Sequence, residues 1–148
     1  MTLEIVIYGA EILRRPAIRV EKFDAALKEL AHDMLETMHE ADGVGLAAQQ
    51  VGRREAICVI DIPEGADKNK DATAFNAAIP MPLVLVNPKI TATEGVQRSS
   101  EGCLSFPEIH AQVTRAMQVS VDYVDLDGKP QSLTARGLLA KAIQDRKS

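Results

Sequence analysis

One cysteine and one run of small residues are the parts of this sequence with the clearest chemical potential. Cys103 lies in the segment Glu101–Ser105, which reads EGCLS, and the segment Gly43–Gln50 reads GVGLAAQQ. A thiolate can act as a nucleophile or a soft metal ligand, whereas a buried cysteine is usually a small apolar residue. Taken alone, Cys103 is more typical of a buried residue. Cys58 is predicted to be buried outright, because apolar residues flank it on both sides.

The three histidines do not form a recognisable metal motif. No two of them are four residues apart and the chain has no CxxC pair, so composition alone gives a weak case for a metal site. His32 and His39 fall on the polar side of a predicted helix and are expected to be solvated. His110 follows Pro107 in a predicted loop, where it could line a groove.

The strongest periodicity predicts a helix that leads directly into the small-residue segment. Apolar residues recur at helical spacing from Leu27 to Met38, Asp24 suits the N-cap, and the helix is expected to end near Ala41. The segment Gly43–Gln50 then carries little side-chain volume. Small residues let a backbone approach another backbone or a ligand closely.

The rest of the chain is predicted to be mostly strands, followed by a second helix that is just beginning. Residues 63–82 are expected to form a surface loop, and residues 101–107 to interrupt the strands. The second helix is predicted over Arg136 to Gln144. Helices and antiparallel strands that are segregated in this way favour an α+β fold. The predicted strands are 5–8, 56–61, 83–86, 90–96, 118–124 and 131–134.

Length and composition bound the possible functions. The chain has 148 residues, which predicts a single domain over residues 1–148. Lys and Arg number 17 against 21 Asp and Glu, and aromatic residues make up 3%, so a nucleic-acid-binding role is not favoured. No apolar run is long enough to span a bilayer, and the first residues lack a secretory pattern. Two cysteines make no disulfide framework, so a reduced cytoplasmic protein is expected.

Two segments together resemble a known enzyme family. GVGLAAQQ at 43–50 and EGCLS at 101–105 resemble the first and second motifs of the peptide deformylases. The opening arm, the first helix and residues 135–144 are also similar to that family, so the resemblance covers nearly the whole chain. It implies an α+β fold in which antiparallel β-sheets enclose a central helix. It also implies hydrolytic, metal-dependent removal of the formyl group from N-formylmethionyl nascent peptides, with Fe²⁺, or Zn²⁺ or Ni²⁺ in its place.

The resemblance also implies roles for individual residues. Cys103 matches the thiolate that binds the metal. Gln50 matches the side-chain amide that donates to the developing oxyanion, and the backbone N–H of Leu104 matches the second donor. Gly45 matches the backbone group that pairs with the peptide, and Val44 matches a wall of the methionine pocket. The candidate substrate-binding set is completed by Glu101, Gly102 and His110, of which His110 matches a substrate-facing position.

The sequence departs from the family pattern after Gln144. There the family has HExxH, which supplies two histidine ligands and a glutamate general base. This chain has Asp145 at the first histidine position and Arg146 at the glutamate position, and it ends at Ser148 before the second histidine position. The expectation is a C-terminally truncated domain whose metal is absent or weakly bound and which is inactive alone. Its shortened last helix is expected to leave part of the sheet uncovered, which invites self-association.

Three hypotheses remain open at this point. The chain is an active deformylase whose missing groups come from elsewhere, a non-catalytic peptide-binding protein that keeps the groove, or a degenerate gene product. Metal content separates the first hypothesis from the other two.

Overall fold

The computed structural model describes residues 2–6, 16–103 and 106–147, and for residues 98–103, 106–114 and 147 it describes the backbone alone. The first helix, α1, spans Ala25–Glu40. The Asp24 carboxylate caps it by accepting the N–H of Leu27 at 3.1 Å. Its apolar positions, including Met34 and Met38, are buried. The predicted bounds of this helix are therefore confirmed.

An antiparallel five-stranded sheet forms the centre of the fold. Its order is β1-β2-β3-β6-β7, and β1 is therefore an edge strand. A separate two-stranded sheet pairs β4 with β5. The strands are β1 (Gly45–Ala47), β2 (Ile57–Ile60), β3 (Leu83–Glu94), β4 (Gln97–Cys103), β5 (Phe106–Arg115), β6 (Gln118–Val124) and β7 (Pro130–Arg136).

The sheet is covered on both faces. Helix α1 packs with Leu46, Ile57 and Val59 on one side. The last helix, α3 (Gly137–Lys147), packs with the cluster that contains Cys58 and Ile60 on the other side. A strand whose side chains are buried on both faces reads as a continuous apolar run, which is why β2 has the sequence ICVI. The α+β prediction is confirmed, and so is the burial of Cys58, which is 2% exposed.

The prediction of a surface loop over residues 63–82 is wrong in part. It contains a short helix, α2 (Lys70–Phe75), capped by Asn69 and anchored by the buried Ala72. The Asp67 carboxylate in this segment accepts the N–H of Leu138 at 3.0 Å. The segment therefore positions the start of α3. The sequence does not predict this role, because the segment is held by polar side chains that accept backbone N–H groups rather than by apolar packing.

Two strand predictions also need correction. Segment 83–86 and residues 90–94 of the second segment belong to one strand, β3, which continues through Asn87 at a register shift, while residues 95 and 96 lie outside the strand. Asn87 has a φ of 50°, and its side chain pairs with the backbone of Val20 at 2.8 and 2.9 Å. Segment 101–107 does not interrupt the strands over its described residues: it ends β4 and begins β5.

At the chain ends, the prediction for residues 5–8 is not supported where it can be judged. Ile5 and Val6 belong to no strand, while residues 7 and 8 lie outside the described residues. The second helix runs further than predicted, through Asp145 and Arg146 to Lys147. Over the part of the chain that the structure describes, no helix combines the length and apolar character needed to cross a membrane.

Candidate functional site

The small-residue segment crosses from α1 to the sheet and ends in a tight turn. The N–H of Gly43 donates to Met38 O at 2.9 Å, and Val44 O accepts the N–H of Asp61 at 2.9 Å. Gly45 then opens β1 opposite Ile60. Residues 48–51 form a 3₁₀ turn. Gly45 is buried and Val44 is half-buried, so the segment is tied to the core through its backbone.

Gln50 is a buried polar residue, 5% exposed, at this turn. Its side-chain oxygen Oε1 accepts the N–H of Ala47 at 2.9 Å and the Nη1–H of Arg146 at 3.2 Å. Its backbone oxygen accepts the N–H of Val6 at 2.7 Å. Two donors on one side-chain oxygen fix the rotation of the amide, with its oxygen toward Arg146.

Arg146 lies across the face of β1 because Gly45 has no side chain. A Cβ added at Gly45 would lie 2.8 Å from Arg146 Nε. That Nε is buried and has no hydrogen-bond partner among the residues whose side chains are described. The sequence did not reveal this contact. Helical spacing alone would have placed Arg146 on the buried side of α3, because it follows the buried Ala142 by four residues.

Asp145 is engaged in a different interaction. Its Oδ1 accepts a hydrogen bond from Arg115 Nε at 2.6 Å. The two side chains are 16% and 29% exposed, so the ion pair is largely shielded from water. Arg115 is the last residue of β5, and the pair therefore links the β4–β5 hairpin to α3.

The second sequence motif lies where β4 meets β5. Cys103 is paired in register with Phe106, and Gly102 with His110, with an irregularity between the two pairs. Glu101 pairs with Ala111. Leu104 and Ser105 lie outside the described residues. We expect this motif to lie beside the segment Gly43–Gln50, because the resemblance places both motifs in one site.

The remaining two histidines lie on α1. The His32 side chain is 74% exposed. With Asp33 and Glu36 it forms the one group of three metal-type ligands among the residues whose side chains are described. His39 is 53% exposed and pairs with Asp61, with 2.8 Å between Nε2 and Oδ2. The prediction that His39 is solvated is therefore confirmed, and folding in addition brings Asp61, just after β2, beside the end of α1.

Known proteins match nearly the whole chain. A sequence profile described as polypeptide deformylase matches residues 2–146. The peptide deformylase of Nitrosococcus oceani is 46% identical over 142 residues, which cover 96% of this chain and 77% of that protein. The peptide deformylase of Opitutus terrae is 42% identical over 149 residues, which cover 97% of this chain and 78% of that protein.

Solved structures of peptide deformylases also match the fold of this chain. A peptide deformylase structure from Ehrlichia chaffeensis superposes with a TM-score of 0.90 at 33% identity, covering 99% of this chain and 82% of that one. A peptide deformylase structure from Synechococcus elongatus in complex with actinonin superposes with a TM-score of 0.83 at 42% identity. The match covers 97% of this chain and 71% of that chain. The resemblance drawn from the two motifs is thereby confirmed.

Proposed function

Because this chain belongs to the polypeptide deformylase family, we propose that it binds N-formylmethionyl peptides and, with the residues described, does not hydrolyse them. The family carries out metal-dependent removal of the N-formyl group during protein biosynthesis. The observation that carries the proposal is the hydrogen bond from Arg146 to Gln50 at 3.2 Å.

The binding half of the proposal is supported by β1 and the turn that follows it. Among the described strands, β1 lies at the edge of its sheet, and an extended peptide can add to such an edge. We assign that pairing to Gly45, one wall of the methionine pocket to Val44, and a polar contact with the formyl group to Gln50. The remaining assignments are backbone or flanking contacts from Glu101, Gly102, Leu104 and His110.

The residues at the family's metal position do not fit a divalent transition metal. Such a site needs several thiolate or imidazole ligands, and of the matched positions only Cys103 supplies one. Asp145 stands where the family has a histidine, and its carboxylate is already paired with Arg115 at 2.6 Å. The guanidinium of Arg146 adds a positive charge close to Gln50, which disfavours a cation there. We therefore derive no catalytic step through Fe²⁺, Zn²⁺ or Ni²⁺ in this chain.

Arg146 also replaces the general base that the resemblance places at its position. An arginine side chain stays protonated in proteins, so it cannot take a proton from water. Its Nη1–H group instead donates to the Gln50 oxygen. Both properties support the proposal that a bound peptide is not hydrolysed.

Packing of the last helix favours this function over a degenerate product. Leu139 and Ile143 are 1% and 0% exposed. The Gln144 side chain accepts the N–H of Ala116 and donates to its oxygen, at 2.9 and 3.0 Å. These residues are engaged as they would be in a protein selected to fold. The single-domain organisation, the cytoplasmic location and self-association stay predictions.

Fluorescence anisotropy with a labelled formyl-Met-Ala-Ser peptide tests the proposal. We expect saturable binding that weakens by about tenfold without the formyl group, because the polar contact proposed between Gln50 and the formyl group is then not made. Gln50→Ala should lose this preference, whereas the exposed Gln131→Ala should retain it. Equal binding of both peptides, or no binding, would contradict the proposed role.

A further inference from the structure

We propose that a cavity beside residues 61–81 binds a small organic cation, in which an ammonium group is carried on a short apolar chain or ring. The cavity lies between this segment and the first turn of α3, and none of Val44, Gly45 and Gln50 lines it. The proposal is therefore independent of the proposed peptide binding. It follows from an apolar floor, from carboxylates that no basic side chain in the wall balances, and from wall groups that the chain itself already engages.

The floor of the cavity is apolar and continuous with the core. The cavity has a volume of about 490 Å³ and is open to solvent on one side. Ile62, Ile79 and Met81 line it and pack against the core cluster that contains Leu139, a further lining residue. Sites for small molecules commonly combine a concave shape with apolar walls. Because the mouth is open, the volume does not limit the length of a ligand, and the chemistry of the walls defines its class.

The charged part of the wall is acidic. Asp61, Glu64 and Asp67 line the cavity, and no lysine or arginine is among its lining residues, all of which the structure describes. Asp61 pairs with His39, whereas Glu64 is exposed and has no partner among the residues whose side chains are described. Asp67 accepts neutral backbone N–H groups, including that of Leu138 at 3.0 Å. A wall with this excess of negative charge favours a cation.

The uncharged polar side chains of the wall are engaged by the chain itself. The Asn76 amide donates to Arg136 O at 2.8 Å and accepts the N–H of Arg136 at 2.9 Å. The Thr73 hydroxyl donates to Asn69 O at 3.1 Å. A peptide in this cavity would find few partners for its backbone groups, and unpaired polar groups are costly to desolvate. A small ammonium compound has one polar group, which the carboxylates can satisfy while its apolar part covers the floor.

Titration of the purified chain with phenethylamine tests this site. The readouts are the methyl NMR signals of Ile62, Ile79 and Met81 at constant ionic strength and about pH 7, where an alkylamine is protonated. We expect saturable shifts at millimolar phenethylamine. Phenethyl alcohol and hydrocinnamate have nearly the same shape but are neutral and anionic, and each should bind about tenfold more weakly or less. Equal binding of the three compounds, or shifts that rise linearly with concentration, would overturn the proposal.

A capped peptide separates a small molecule from a polypeptide as the source of the ammonium group. Acetyl-Ala-Lys-Ala-amide carries the same charge together with several backbone amides. We expect it to bind more weakly than phenethylamine, because the wall offers few free partners for those amides. Tighter binding of the capped peptide would overturn the assignment to a small organic cation.

Two variants separate the charge of the wall from the space of the cavity. Glu64→Gln removes one exposed carboxylate at nearly constant shape and should weaken phenethylamine binding about threefold. Ala77→Phe fills part of the cavity from an exposed lining position and should weaken binding about tenfold. Glu29→Gln, exposed on α1, makes the same change of charge away from the cavity and should leave the titration unaltered. Thermal melting of each variant establishes that it is folded. Unchanged binding in a folded Glu64→Gln or Ala77→Phe protein would contradict the assignment, whatever the result for formyl peptides.

Discussion

The segment around β1 and the end of α3 meet at Gln50, but they differ in what they keep of the family pattern. The first segment keeps every small residue and the amide of Gln50, and its backbone is fixed by the core. The end of α3 keeps its packing but presents Asp145 and Arg146, which engage Arg115 and Gln50. Two side chains at the end of α3 therefore change the chemistry available beside a segment whose backbone and small residues are kept.

The largest effect should come from removing the packing that the two regions share. Ile143 is fully buried between α3 and the sheet, so Ile143→Ala should lower the free energy of unfolding by about 2–4 kcal/mol. Denaturant unfolding measures the change. Lys141→Ala, on the same helix but half-buried, is the control and should cost clearly less. Equal losses for the two would mean that α3 does not pack as described.

A smaller effect is expected from the ion pair at the end of α3. Asp145→Asn leaves the Arg115 guanidinium without its carboxylate, and because both side chains are largely shielded, we expect a loss of about 1–3 kcal/mol. Lys28 and Asp127 form a matched exposed pair, 56% and 65% exposed. Asp127→Asn should therefore change stability by no more than about 0.5 kcal/mol. A larger loss of stability for Asp127→Asn than for Asp145→Asn would contradict the shielding of the Arg115–Asp145 pair.

The folded core was largely predictable from the sequence, because apolar periodicity and caps act locally. Helix α1 and the β6–β7 hairpin follow from Asp24, from Asp127-Gly128 and from regular alternation. The interactions of Asn87 and Asp67 were not predictable, because each depends on a backbone group far away in sequence. For the same reason the contact between Arg146 and Gln50, which are 96 residues apart, was not predictable: helical spacing places Arg146 on the buried side of α3 but does not identify its partner.

The contact between Gly45 and Arg146 gives a further way to test how the two regions are joined. Gly45→Ala places a Cβ 2.8 Å from Arg146 Nε, so the arginine must move and its bond to Gln50 should weaken. We expect a loss of about 1 kcal/mol in stability. The same substitution in an Arg146→Ala background should be nearly neutral. A double-mutant cycle with no coupling would show that the side chain does not lie over Gly45.

The smallest effect should arise far from Gln50, at the β6–β7 turn. The Asp125 carboxylate accepts the N–H groups of Lys129 and Asp127 and the amide of Gln131, at 3.0, 2.9 and 3.2 Å. The hydrogen bond from the Lys129 backbone is the main cause that lowers the pKa of Asp125 below its usual value of 3.8, with those from Asp127 and Gln131 adding to it.

A carboxyl whose pKa is lower in the folded state stabilises the fold above its unfolded pKa, and this contribution is lost as pH falls through the folded pKa. Asp125→Asn should therefore slightly flatten the fall in melting temperature on acidification below about pH 4. It should leave peptide binding unchanged. An unaltered acid profile would contradict the lowered pKa.

Formate release from a formyl-Met-Ala-Ser peptide tests the central claim most directly. The chain is incubated with the peptide in excess of its dissociation constant, with Fe²⁺ under anaerobic conditions, with Ni²⁺ or with Zn²⁺, and formate is measured enzymatically over many hours. Because Arg146 cannot act as a base and Asp145 is held by Arg115, we predict bound peptide and no formate above the protein-free control. Asp145→His alone should not change this result, because groups that act as a unit are not restored singly. Metal-dependent turnover by the unaltered chain would contradict the account.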